Sequence, residues 1–188
     1  NPLNPSKGDH DFFQNVIGDE FIDMAFQMTR DLDSNGKLIF NDCLNSASRG
    51  YHSVFQTSQA ERTKQTRTIV KRLKDKGLVD AVGVQMHLDG ANPPDKNDVI
   101  KTIQSYGMPV YVTEFDVDMR NVPGSQEGRL AKQAQIYTDS LDACLQSGAC
   151  SSFSVWEWGD KYSYAENPQF GGVPKADVSP YDDNLQPK

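Results

Sequence analysis

The chain has 188 residues, a size suited to one domain but short of a complete eight-stranded α/β barrel, which takes about 250. Its 19 Lys and Arg against 26 Asp and Glu leave a formal net charge of -7, and no block of basic residues offers the clustered face that nucleic acid needs. No apolar run is long enough to span a bilayer, which argues against a membrane partner.

The first residues, Asn1-Pro2-Leu3-Asn4-Pro5-Ser6-Lys7-Gly8, read as a loop without the charged-then-apolar order of a leader. The expectation is a chain that begins after processing or within a larger protein. Residues 11–30 place Phe13, Ile17, Phe21, Met24 and Met28 on one helical face, and Asp33-Ser34-Asn35-Gly36 stops that helix. Leu38-Ile39-Phe40 predicts a strand buried on both faces, followed by a polar loop from Asn45 to Gly50. A Lys/Arg-rich helix over 60–76 carries Ile69, Val70 and Leu73 inward and ends at Gly77. Its basic residues read as a solvated outer face rather than an anion site.

Ala81-Val82-Gly83-Val84 is the second strand, and Pro93-Pro94 opens a helix to about Tyr106. Residues 108–112 form the third strand and 115–128 a loop. Leu130, Ala134, Tyr137, Leu141 and Leu145 mark a further helix, and residues 153–156 a fourth strand. The tail after Tyr164 is irregular. Strands separated by helices predict an α/β fold of parallel strands with right-handed crossovers. A doubly wound sheet and a barrel both fit. No Gly-rich phosphate loop follows any strand, so no nucleotide cofactor is expected. Among the cysteines, Cys144 and Cys150 close a short loop as a disulfide in an oxidising compartment, or stand as two buried thiols. Zinc lacks ligand spacing, and Cys43 reads as a small core or loop residue.

Each strand ends in polar or aromatic residues: Asn41-Asp42, Gln85-Met86-His87, Thr113-Glu114-Phe115-Asp116 and Trp156-Glu157-Trp158. Active sites of α/β barrels form at these strand ends. Alternation puts Gln85 with His87 on one face, and Glu114 with Asp116 on one face. With both faces inward, His87 would donate to both carboxylates and hold Glu114 oriented and ionised, as a nucleophile at a sugar C1 requires. The residues alone equally admit a structural carboxylate paired with Arg or Lys, and a His that is merely hydrogen-bonded. Trp156 and Trp158 are either core or a stacking platform for a sugar ring.

At these residues the chain resembles the C-terminal half of glycoside hydrolase family 10, the endo-β-1,4-xylanases. Val82 through Leu88 is similar to the family's G-x-Q-x-H-L strand, and Val112 through Val117 to its T-E-L-D-[VI] strand. Lys37 through Asp42 resembles L-x-x-N-D. Cys144 through Cys150, Val155-Trp156 and Asp160 through Tyr164 resemble C-x5-C, V-W-G and D-K-x-S-W. These motifs occur in family order from about residue 12 to the end. The resemblance implies a TIM (β/α)8 barrel of which this chain covers roughly strands five to eight, and a secreted, extracellular hydrolase acting on xylan or xylo-oligosaccharide without cofactor or metal. It implies Glu114 as nucleophile, His87 and Asp116 as its support, Asn41 and Gln85 near the cleft, and Trp156 and Tyr164 around the sugar that is attacked.

The departures from the family pattern are specific. Tyr164 stands where the family usually has Trp, Glu157-Trp158 replaces the residues after the first Trp including its Gly, Cys43 stands where a Tyr often contacts substrate, and Phe115 replaces Leu. The family's acid/base strand, W-D-V-V-N-E, has no counterpart in residues 1–10, and Glu157 is a poor stand-in. The expectation is that an N-terminal half-barrel segment, elsewhere in the polypeptide, supplies that Glu. The alternatives are an inactive carbohydrate-binding or structural half-barrel, and a retaining barrel glycosidase acting on β-glucan or galactan.

Overall fold

The computed structural model describes residues 12–43, 59–167 and 176–188. The opening loop, the polar loop at 45–50, part of the tail and the side chain of Cys43 lie outside the described residues. In chain order the elements are α1 (Phe12–Ile17), α2 (Phe21–Leu32), β1 (Ile39–Cys43), α3 (Gln59–Asp75), β2 (Ala81–Asp89), α4 (Lys96–Gln104), β3 (Val110–Asp118), α5 (Gln126–Ser147), β4 (Cys150–Phe153) and a 3-10 turn at Asp160–Tyr162.

The sheet is wholly parallel in the order β1-β2-β3-β4. Each strand lies beside its predecessor, and the order never reverses. A doubly wound sheet reverses at its switch point; an unbroken sequential order is the progression of a barrel wall. The two sheet types left open by sequence are therefore separated by topology.

One face of the sheet packs on the helices. Phe40, Val82, Val84, Met86, Leu88, Val110, Val112, Phe115 and Val117 are all at most 2% exposed and join Leu73, Ile103 and Ala143 in one apolar cluster. Phe115 sits at its centre, edge-on to Tyr137 at 4.7 Å and beside Phe153 at 4.9 Å. Local chemistry sets the helix ends. The Asp95 side chain caps α4 by accepting from Asn97 N–H at 2.8 Å, so Pro93-Pro94 precede the helix rather than open it. Ser125 caps α5, accepting from Gly128 N–H. Gly148, at φ +67, stops α5 in the left-handed region. Cys144 and Cys150 are joined by a disulfide across that turn.

Several boundaries differ from the sequence reading. The single helix over 11–30 is two, because Gly18 at φ +88 breaks it. Most of its apolar stripe is open: Phe13, Ile17, Met24 and Met28 are exposed, while Phe21 is partly buried against the core. β2 and β3 extend to Asp89 and Asp118, beyond the predicted ends. β4 begins three residues earlier than predicted, with polar Cys150-Ser151-Ser152 in place of Val155-Trp156. The later residues still follow β3, since Ser154 N–H donates to Val112 O and Trp156 N–H to Phe115 O.

Truncating Phe115 to Ala should cost about 3–5 kcal/mol, the usual range for an aromatic removed from a close-packed core. The urea midpoint of Phe115→Ala against the parent measures it, and a loss below about 1 kcal/mol would remove Phe115 from the centre of the core.

Candidate active site

The face of the sheet opposite the helices carries the polar residues singled out in sequence. β3 reaches this arrangement through a bulge. Val84 pairs with Val112, but the next residue, Gln85, pairs with Glu114. Thr113 is the extra residue, and its insertion switches the phase of the strand. Before the bulge Val110 and Val112 face the helices; after it Phe115 and Val117 do. Thr113, Glu114 and Asp116 all turn to the opposite face. The Thr113 hydroxyl donates to Asn41 Oδ1 at 2.8 Å, which links the bulge to β1.

Beyond the bulge, His87 pairs with Asp116 in register. Its Nδ1 lies 2.8 Å from Asp116 Oδ2, and its Nε2 lies 2.9 Å from Glu114 Oε2. The side chains are 7%, 2% and 13% exposed for His87, Asp116 and Glu114, so water competes little for these bonds. Burial opposes a charged imidazole, yet the hydrogen bonds and charges of Asp116 and Glu114 outweigh it and raise His87 to about 9. At neutral pH both ring nitrogens therefore carry protons, and each N–H donates to one carboxylate.

Two aromatic rings flank the imidazole. Trp156 stands edge-on at 6.0 Å between centroids and Tyr164 at 5.7 Å. The Tyr164 hydroxyl is 3.4 Å from His87 Nδ1. Trp156 is 48% exposed, leaving indole surface for a ligand. His87, Glu114, Asp116, Trp156 and Tyr164 thus come together. Gln85 lies one strand across from Glu114 in the pairing, and Asn41 is reached through Thr113. Among the described residues no group of three or more His, Cys, Asp or Glu is arranged to hold a metal ion, and no helix is long and apolar enough to cross a membrane.

Sequence reasoning missed two participants. Thr113 was legible in the apolar pattern, which falls on even numbers at 110 and 112 and odd numbers at 115 and 117. Glu157 was considered only as a substitute acid. Its Oε1 instead accepts from Tyr164 N–H at 2.7 Å.

The profile of glycosyl hydrolase family 10 matches residues 2–188. Endo-1,4-beta-xylanase A of Humicola insolens is 31% identical over 156 residues, which are 81% of this chain and 38% of that protein. The structure of native xylanase 10B from Thermotoga maritima matches at a TM-score of 0.76 and 28% identity, over 97% of this chain and 53% of its own. Xylanase 10B from Thermotoga petrophila RKU-1, solved in complex with xylobiose, matches at 0.74 and 28%, over 97% and 52%. The chain spans about half the length of these solved structures and less of the Humicola protein. A sequentially ordered parallel sheet, its polar strand ends and a profile match along nearly the whole chain agree: this chain belongs to glycosyl hydrolase family 10, and its sheet is half of that family's TIM barrel.

Proposed function

We infer that this chain supplies the nucleophile-bearing half of a retaining endo-β-1,4-xylanase. The observation that carries the reading is the Glu114–His87–Asp116 chain of hydrogen bonds. His87 Nε2–H fixes one oxygen of Glu114 and leaves the other to attack the anomeric carbon. Asp116 accepts a hydrogen bond from the other imidazole N–H and fixes the ring. Trp156 and Tyr164 wall the space where the reacting sugar would pack.

In the double displacement, a Glu114 oxygen bonds to C1 as the glycosidic C–O bond breaks. A second carboxylic acid protonates the leaving oxygen. That group then takes a proton from water, whose oxygen displaces Glu114 and restores the original anomeric configuration. The two carboxyls must stand about 5–5.5 Å apart, and the second belongs to an N-terminal half-barrel segment. The open apolar surface of Phe12, Phe13, Val16, Ile17, Met24 and Met28 fits such a packing partner. The Cys144–Cys150 disulfide fits secretion into an oxidising medium.

Two measurements test this. Reducing sugar released from xylan should appear when the chain is combined with an N-terminal half-barrel, and Glu114→Gln should lower it at least about a thousandfold, the scale of losing a covalent nucleophile. Undiminished hydrolysis by Glu114→Gln would end the proposal, mixed-linkage glucan hydrolysed in preference to xylan would change the substrate, and no hydrolysis by the combined halves would favour a carbohydrate-binding half.

The pH dependence follows from His87. A histidine raised to about 9 from 6.5 binds its proton more tightly in the folded chain. The resulting stability is fully present below about pH 6.5 and is lost as pH rises through about 9. Urea midpoints at about pH 6 and about pH 10 should differ by stability on the order of 3 kcal/mol in the parent, and by much less in His87→Gln. Equal differences in both would show that the imidazole is not held charged.

A further inference from the structure

Glu157 and Tyr164 are both departures from the family pattern, and they are bonded to each other. The Glu157 carboxyl accepts the Tyr164 backbone N–H at 2.7 Å and also bonds the Ser163 side chain. Tyr164 in turn places its hydroxyl 3.4 Å from His87 Nδ1 and its ring edge-on to the imidazole. Between residues 157 and 164 the chain makes the Asp160–Tyr162 turn, so this one carboxyl closes the loop that ends at the active-site tyrosine.

A carboxyl is an unfavourable way to fill this space. Burial is the largest influence on Glu157 and pushes it above the ordinary range. Bonds from Ser163 and the Tyr164 N–H pull it down, Asp116 adds to the rise, and His87 opposes it. Its second oxygen is buried and has no hydrogen-bond partner among the described residues. An apolar side chain would pack at lower cost. What such a side chain lacks is an acceptor for the Tyr164 amide.

We propose that Glu157 is a positioning residue that seats Tyr164 against His87, so that a hydrogen-bonding phenol walls the site beside Glu114. In this arrangement Tyr164 adds a polar contact to the Nδ1 side of the imidazole, on the same edge that Asp116 occupies. The inference rests on the glycosidase reading for its meaning in catalysis, but its test does not depend on turnover.

The chain has three histidines, His10, His52 and His87, so the His87 ring is readily assigned by NMR. An NOE between the Tyr164 and His87 rings is expected in the parent and in Glu157→Gln, which keeps an acceptor oxygen, and is expected to be lost in folded Glu157→Ala. Persistence of the NOE in Glu157→Ala, or its loss in Glu157→Gln, would overturn the proposal. A parent-only measurement guards against a variant that does not fold. The Tyr164 amide should exchange at least about tenfold more slowly than an unbonded amide, and exchange at the unbonded rate would also overturn it. If Glu114→Gln proved fully active on xylan, these results would still stand, so the two failures are distinct.

Discussion

A parallel strand with strict alternation cannot show Thr113, Glu114 and Asp116 on one face while burying Val110, Val112, Phe115 and Val117 on the other. The extra residue in β3 resolves this conflict. Without it, either the nucleophile candidate would enter the apolar layer or Phe115 would leave it. The single Thr113 hydroxyl proton is shared between Asn41 Oδ1 at 2.8 Å and the main-chain carbonyl of Val84 at 3.2 Å. The bulge is therefore bonded in place as well as packed, and the site inherits its precision from the core beneath it.

The same geometry sets the electrostatics. Two carboxylates beside each other would repel in a site with little water. The imidazole between them, charged at neutral pH, compensates one negative charge and fixes the orientation of both acids. Asp116, at 2% side-chain exposure, holds the ring, while Glu114 is the more open of the pair. That asymmetry fits the proposed roles, support for Asp116 and reactivity for Glu114. A third carboxyl nearby, Glu157, has its pKa raised by burial and further by Asp116, against the lowering bonds from Ser163 and the Tyr164 N–H and the charge of His87.

Much of this was legible in the residues. Alternating helices and strands gave the parallel sheet, and the Gln85-x-His87 and Glu114-x-Asp116 spacings gave the facing pair. The order of the strands was not legible, because apolar periodicity does not say which strands become neighbours. The start of β4 was misplaced because Cys150-Ser151-Ser152 has no apolar signature, whereas Val155-Trp156 does, although the latter only continues alongside β3. The break at Gly18 was hidden inside a continuous apolar stripe. The charge of His87 depends on distances of 2.8 and 2.9 Å between strands, and no one-dimensional pattern encodes those.

In the proposed enzyme the division of labour between the two halves has a physical consequence. Among the described residues, the hydrogen bond to Glu114 comes from His87 on β2, itself held by Asp116 on β3, and the aromatic wall comes from the segment after β4. The nucleophile is thus organised within this chain. The separation of about 5–5.5 Å between the two carboxyls, by contrast, is set across the seam between halves, by the packing of apolar side chains such as those of α1 and α2. Apolar packing is non-directional, so it secures contact more readily than it secures a distance to a fraction of an ångström. The directional hydrogen bonds around Glu114 supply what the seam does not: with one carboxyl rigidly aimed, closing the barrel has only the position of the other left to define.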